Sequence, residues 1–203
     1  MDKLFYEKEY LRIGAKYICG VDEVGRGPLA GPVTVTAVIM DLQKPVDGVD
    51  DSKKLSEKKR EMLYDRILDA SVAVSTVSID NGVIDEINIL NATKKAMVEA
   101  VMSLEVKPDA VLIDAVNLDL PYKTHAIVRG DALSYSIGCA SIIAKVTRDR
   151  LMREYDKIYP EYGFSGNKGY GSARHIEAVK TFGPTPIHRR TFIKNFVKNE
   201  NKI

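Results

Sequence analysis

Tyr17-Ile18-Cys19-Gly20-Val21-Asp22-Glu23-Val24-Gly25-Arg26-Gly27-Pro28 is an apolar run that meets two adjacent carboxylates and then a tight loop bounded by glycine and proline. Residues 17–24 read as a buried strand, which leaves Asp22 and Glu23 at a strand end. Residues 32–40, rich in valine, threonine and isoleucine, read as a second strand, and Gly31-Pro32 fits a short hairpin-like return between the two. Residues 72–79 make a third strand. Between the second and third, Ser56 caps a helix that runs to Ala70, with Met62, Leu63, Arg66, Ile67 and Ala70 at helical spacing.

Further along, residues 82–104 carry Ile84, Ile87, Leu90, Ala96, Met97, Ala100 and Val101, one long amphipathic helical pattern. Residues 109–115 form a short apolar run that reads as a buried strand ending in Asp114. Residues 125–128 are a fifth strand candidate, followed by Gly130-Asp131 and a helix over residues 134–158. The glycine-rich residues 163–171 read as a loop and residues 172–182 as a helix. Residues 1–16 fit a short helix, and the polar residues from Lys198 read as a frayed end with no clamp-binding tail after Phe196. Three strands near the start, then helix, strand, strand and several helices, predict an α/β fold on a mixed sheet rather than a purely parallel one. With no internal repeat or linker, residues 1–203 read as one domain whose C-terminal part, from about residue 163, is helical.

The 203 residues are 45% hydrophobic, which fits a globular core, and no stretch approaches the roughly 20 apolar residues of a membrane span. The first sixteen residues are too charged for a signal peptide, so the expectation is a soluble, cytoplasmic protein. Cys19 and Cys139 lie in apolar surroundings without metal-ligand spacing and read as core residues. A net charge of +2 is too mild to mark a nucleic-acid binder by itself. Its distribution says more. Lys53, Lys54, Lys58, Lys59 and Arg60 form one basic cluster, and Lys145, Arg148, Arg150 and Arg153 another. His188-Arg189-Arg190 reads either as a phosphate contact or as the closure of the last helix.

Two neighbouring buried carboxylates repel each other unless a cation or proton intervenes. An ideal strand sends adjacent side chains to opposite faces, so Asp22 and Glu23 serve one site only where the chain twists or ends, a departure that Gly25 and Gly27 allow. An isolated Asp-Glu pair reads first as solvent-facing or capping. Asp114, ending a second apolar strand, shifts the reading toward a shared site at one sheet end, and Asp131 adds a fourth acid. Asp131 reads equally as a helix N-cap, and Asp114 as a turn carboxylate. Oxygen ligands with no nearby histidine or cysteine favour Mg²⁺ or Mn²⁺ over zinc. A pair of such cations about 4 Å apart activates water and stabilises a leaving oxygen in phosphodiester cleavage. Lys53, Lys54 and Lys145 are candidate phosphate contacts, with a solvated helix face as the ordinary alternative. Proline after Gly25-Arg26-Gly27, and no G-x-G-x-x-G, argue against a dinucleotide loop.

The run from Gly20 to Pro32 resembles the opening motif of the ribonuclease HII family, a type 2 ribonuclease H. Asp51-Ser52-Lys53-Lys54-Leu55-Ser56 is similar to the second motif of that family and the Ile-Asn-Ile-Leu-Asn-Ala-Thr segment ending at Thr93 to the third. Leu112-Ile113-Asp114, Gly130-Asp131-Ala132, the Ser141-to-Asp149 run and Gly169-Tyr170-Gly171-Ser172 follow in family order. Gly138-Cys139 departs from the expected small alanines, a matter of helix packing. The resemblance implies a ribonuclease H-like mixed sheet flanked by helices with a C-terminal helical part, and divalent-metal ligation and catalysis by Asp22, Glu23, Asp114 and Asp131. It implies endonucleolytic hydrolysis of the RNA strand of RNA/DNA hybrids, including single ribonucleotides embedded in duplex DNA, leaving 5′-phosphate and 3′-hydroxyl ends. A monomeric enzyme of ribonucleotide excision repair is the expectation. It also implies that the backbone of Gly25-Arg26-Gly27 and the Tyr170 hydroxyl recognise the ribonucleotide; glycine permits close backbone approach to the 2′-hydroxyl. A DNA-directed nuclease with similar acids and a non-catalytic hybrid-binding module are the rival readings.

Overall fold

The computed structural model describes residues 2–197. In chain order its elements are α1 (Phe5–Arg12), β1 (Ile18–Val24), β2 (Val33–Met40), α2 (Glu57–Ala70), β3 (Ser71–Ile79), α3 (Asn81–Ile87), α4 (Ile89–Met102), β4 (Ala110–Asp114), β5 (Lys123–Ile127), α5 (Gly130–Leu133), α6 (Tyr135–Ile158), a 3-10 turn (Pro160–Tyr162), α7 (Phe164–Asn167), α8 (Ala173–Phe182) and α9 (Arg190–Ile193). The strands form one sheet in the order β3-β2-β1-β4-β5. β1 pairs antiparallel with β2, which pairs antiparallel with β3, whereas β1, β4 and β5 run parallel. The expected mixed sheet flanked by helices, with a helical C-terminal part, is therefore observed.

Strand alternation distributes the sequence between two faces. Cys19 and Val21 of β1, the odd-numbered residues of β2 from Val33 to Ile39, and Val111 and Ile113 of β4 pack under Ala96, Met97 and Ala100 of α4. Val38 and Met40 face the other way, onto Leu63 and Ile67 of α2 and Cys139, Ile142 and Ile143 of α6. Ile18, Leu112 and Ile127 meet Ile137 on that same side. Both cysteines are fully buried core residues, as their surroundings predicted. A further apolar cluster, Ala30, Met152, Tyr162, Phe164, Ala178, Val179 and Ile193, fastens the C-terminal helices to the loop after β1.

Helix α6 comes closest to the sheet at Gly20. A Cβ at that position would run into the Ser136 carbonyl group and the Ile137 nitrogen, so only glycine lets the first turn of α6 rest on β1. Ser134 caps this helix by accepting from the Ile137 N–H. Glu7 of α1 accepts from the Ser134 hydroxyl at 2.6 Å and the Ser136 N–H at 2.9 Å, placing a carboxylate at the positive end of the helix.

Local readings differ from the structure in a few places. The long pattern over residues 82–104 is two helices: Asn88 turns the backbone at φ 65°, and its side chain accepts from the N–H groups of Leu90 and Asn91 to start α4. Residues 163–171 contain the short α7 within the expected loop. The short helix expected in residues 1–16 is α1. The frayed end expected from Lys198 lies outside the described residues, as does most of the stretch after Phe196.

Gly20→Ala should lower stability by about 3 kcal/mol or more, the upper range for forcing an atom into a packed core. Urea denaturation measures it, and an unchanged midpoint would mean that α6 can withdraw from β1 at no cost.

Candidate active site

The three parallel strands end side by side, and each delivers a carboxylate there. The paired register of β1 and β4 closes at Val21 and Ile113, so Asp22 and Asp114 are the next residues on adjacent strands. Asp114 still pairs with Ile127 of β5, whose continuation through Arg129 and Gly130 brings in Asp131 on α5. One carboxylate oxygen from each of Asp22, Asp114 and Asp131 lies within 4.8 Å of the others. Asp131 is in the first turn of α5, not an N-cap; that position belongs to Arg129. The Gly130 N–H donates to Asp114 Oδ1 at 2.7 Å and sets that carboxylate's orientation.

Glu23 stands beside this triad rather than within it. Its Oε1 accepts from Arg26 Nη1 at 3.4 Å, while its Oε2 is buried and has no partner among the described residues. A buried, unpartnered carboxylate oxygen is costly. Burial and the neighbouring charge of Glu23 hold the Asp22 carboxyl well above the usual carboxylate range, against a hydrogen bond from Ser141. Burial also raises Glu23, against the opposing Arg26, and it raises Asp114, with Asp131 adding to the effect. Hard oxygen donors, mutual repulsion and a bare carboxylate oxygen all fit a divalent cation. Asp22, Asp114 and Asp131 are placed so that they could hold one, with Glu23 next to Asp22 in the chain.

Lys53 reaches toward the same acids, with Nζ 3.4 Å from Asp131 Oδ2 and a largely exposed stem. Partial burial works against its charge, but Asp131 and Asp22 together hold the ammonium above its usual pKa. Ser52, next to it, hydrogen-bonds Ser141 at 2.9 Å, and Arg60 donates to the Ser52 and Leu55 carbonyls, so the loop carrying Lys53 is tied to α6 and to α2.

The cations of the second basic cluster of the sequence are all engaged by partners within the protein. Lys145 bonds Asp149 at 2.8 Å and is mostly covered, so its ammonium is already engaged and does not face outward as a phosphate contact. Arg150 and Arg153 pair with Glu61 and Glu57 of α2. Arg148 is buried and donates to the carbonyls of Pro32, Ala30 and Lys168. Arg189, also buried, donates to those of Gly31, Arg26 and Gly25. Neither Arg189 nor His188 is therefore turned out toward a phosphate.

These arginines join the Gly25-Arg26-Gly27 loop to Tyr170. Gly25 has φ +94°, and a Cβ there would collide with the Arg148 side chain. Leu29 N–H donates to the Gly169 carbonyl, and a Cβ on Gly27 would sit 3.5 Å from the Tyr170 ring, which is 45% exposed. Beneath Tyr170 lie two histidines. Thr185 N–H donates to His188 Nδ1, which leaves the proton of that ring on Nε2, directed at His175 Nε2 at 2.9 Å. His175 then carries its proton on Nδ1 and donates to the Tyr170 carbonyl at 2.8 Å. Burial lowers the pKa of both rings; His188, with His175 against it, is pushed down to about 4.

Sequence reading missed Ser141, the burial of Arg148 and Arg189, and the histidine pair. A helical signal existed for two of them, since Ser141, Lys145, Arg148 and Met152 recur along one stripe of α6.

The ribonuclease HII family model matches residues 19–195. The chain belongs to the ribonuclease HII family. It is 53% identical over 196 residues to a ribonuclease HII of Ruminiclostridium cellulolyticum, spanning 96% of this chain and 77% of that protein. A ribonuclease HII of Acetivibrio thermocellus is 54% identical over 198 residues, with 97% and 77% covered. The crystal structure of ribonuclease H2 from Pyrococcus horikoshii superposes with a TM-score of 0.75 at 30% identity, over 92% of this chain and 100% of that one. As a ribonuclease HII, the chain is a hydrolase, an endonuclease of RNA/DNA hybrids, in a family that uses divalent metals. Among the described residues no helix is long and apolar enough to cross a membrane.

Two stability measurements probe this geometry. The raised carboxyl pKa values mean that the metal-free native state holds more protons than the unfolded chain, so stability is greatest below the ordinary carboxylate range and falls as pH rises through the raised values. Asp22→Asn should then stabilise the metal-free protein at pH 8 by about 1 kcal/mol or more while reducing the rise in Tm on adding Mn²⁺. A lower metal-free Tm, or an unchanged metal response, contradicts this account. The histidines carry the opposite sign. Unfolded His188 takes up a proton near 6.5 and the folded ring does not until about 4, so stability present above 6.5 is lost as pH falls between the two, by at most about 3 kcal/mol. His188→Gln cannot take up that proton and should flatten this part of the stability profile; an identical slope would refute the assignment.

Proposed function

We propose that this chain hydrolyses the RNA strand of RNA/DNA hybrids and cuts duplex DNA at single embedded ribonucleotides, leaving 5′-phosphate and 3′-hydroxyl ends. The observation that carries the reading is the convergence of Asp22, Asp114 and Asp131 within 4.8 Å, beside the unpartnered Oε2 of Glu23. These four acids are the proposed catalytic and metal-holding groups. Two Mg²⁺ or Mn²⁺ ions held by these acids would supply activation of a water and stabilisation of the leaving oxygen.

The chain's own residues do the rest. Ser141 and the Gly130 N–H fix the directions of Asp22 and Asp114, so the ligand oxygens need little rearrangement when loaded. Lys53, on an exposed stem at the edge of the acids, is suited to meet a phosphate of the incoming strand. Lys145, committed to Asp149, has no such part. Gly27 and the exposed Tyr170 ring form one surface next to the acids; Gly25-Arg26-Gly27 offers backbone groups and Tyr170 a hydroxyl to the 2′-hydroxyl of a ribose, the group that separates RNA from DNA. Acids, loop and tyrosine all come from one chain, so a monomer suffices.

A duplex carrying one ribonucleotide, incubated with Mg²⁺ or Mn²⁺, tests the reading. Cleavage 5′ to the ribonucleotide is expected, with turnover abolished in Asp22→Asn and the preference over all-DNA duplex reduced about tenfold in Tyr170→Ala, the scale of one lost hydrogen bond. Cutting of an all-DNA duplex, or binding without cutting, would sink the proposal.

A further inference from the structure

The Gly25-Arg26-Gly27 loop is held from below by a single side chain. Arg189 donates Nη2–H to the Gly25 carbonyl at 2.5 Å, Nη1–H to the Arg26 carbonyl at 2.9 Å and Nε–H to the Gly31 carbonyl at 3.0 Å. The guanidinium is planar and its donors form a fixed fork, so it can donate to the first two carbonyls together only when both point inward. The peptide bonds are all trans among the described residues. In a trans peptide the N–H of one residue points opposite to the C=O of the residue before it. Drawing the Gly25 carbonyl inward therefore turns the Arg26 N–H outward, and drawing in the Arg26 carbonyl does the same for the Gly27 N–H. Neither N–H meets an acceptor among the described residues. A Cβ added to Gly27 would lie 3.5 Å from the Tyr170 ring, which places that ring beside this part of the loop.

The rest of the loop is fixed in the same manner. The Arg189 N–H takes the Leu29 carbonyl, and Arg148 takes those of Ala30 and Pro32 while its third bond reaches Lys168, two residues before Tyr170. The six side-chain hydrogen bonds of the two arginines all end on carbonyl oxygens. A fully buried guanidinium satisfied only by carbonyls is an expensive way to close a loop. The cost is understandable if the orientation of the peptide planes matters.

We propose that Arg189 is a positioning residue for sugar recognition: by holding the Gly25 and Arg26 carbonyls inward, it presents the Arg26 and Gly27 N–H groups as paired donors to the 2′-hydroxyl oxygen of the ribonucleotide. The inference rests on the reading that this loop and Tyr170 recognise the ribose. Lysine at 189 keeps a positive charge but loses the fork, so it does not hold the two carbonyls at once.

The test measures binding of a duplex with one ribonucleotide and of the same duplex as DNA throughout, without divalent metal so that nothing is cut. The ratio of the two Kd values is compared among the unaltered protein, Arg189→Lys, Arg189→Gln, Gly27→Ala and Tyr170→Phe, together with the rise in Tm on adding Mn²⁺. Both Arg189 variants should lose about tenfold of the ribonucleotide preference while keeping the metal response, and lysine should not rescue it. If Gly27→Ala or Tyr170→Phe lowers the preference and both Arg189 variants retain it, the positioning role is overturned and the loop reading survives. If Gly27→Ala and Tyr170→Phe leave the preference unchanged, the loop reading itself falls and takes the proposal with it. For variants that fail to fold, the unaltered protein decides: the Arg26 and Gly27 amide signals in NMR spectra should shift with the ribonucleotide duplex and not with the DNA duplex. Equal shifts with both would overturn the assignment.

Discussion

Everything at the working end of this molecule depends on how closely α6 approaches β1 at Gly20. With no side chain at that position, the first turn of the helix rests on the strand backbone. That contact brings Ser141 to Asp22, and through Ser52 it anchors the segment bearing Lys53. It also sets α5, which leads directly into α6, so that Asp131 lies next to Asp114. A wider spacing would leave the carboxylates of β1, β4 and α5 with no common centre. The Glu7 carboxylate on the Ser134 hydroxyl and Ser136 N–H holds the same helix end from the opposite side.

Two buried charge systems of opposite sign sit next to each other. On one side are acids whose protons are held more tightly than usual because burial and mutual repulsion disfavour their ionised forms. On the other are Arg148 and Arg189, whose pKa values burial lowers to about 10 and about 9. The sequence does not pair these systems directly. The acids keep oxygens free for a ligand, and the arginines spend their donors on the backbone. Direct neutralisation would be more stable, but it would fill the space that a cation and a phosphate require.

The strand ends were legible because apolar runs terminated by carboxylates are rare enough to mean something; Asp22 and Asp114 were read from that pattern, and Asp131 from its place after Gly130 and from the family resemblance. Their convergence at one sheet end was expected, but the strand order β1-β4-β5 that produces it was not legible, because no local pattern encodes it. The helix start at Ser56 was readable from capping chemistry, and Ser134 and Ser172, read only as the starts of helices, turn out to cap theirs as well. The break at Asn88 was hidden inside a continuous amphipathic pattern, where one asparagine in an unusual backbone conformation outweighs helical periodicity. Arginine gave the most misleading signal. Arg148 and Arg189 look like surface charge in the sequence, and nothing in composition distinguishes them from Arg150 or Arg153, which do lie at the surface in ion pairs.

Helix α6 passes beneath both the acids and the loop, carrying Ser141 at one and Arg148 at the other. Those residues are two turns apart, about 10 Å along an axis that hydrogen bonding keeps from stretching. The helix therefore acts as a ruler. Under the proposed function, the distance from the cut to the sugar recognised by the loop follows from backbone rise rather than from the choice of any side chain, so substitutions in either site can change rate or selectivity while that distance stays constant.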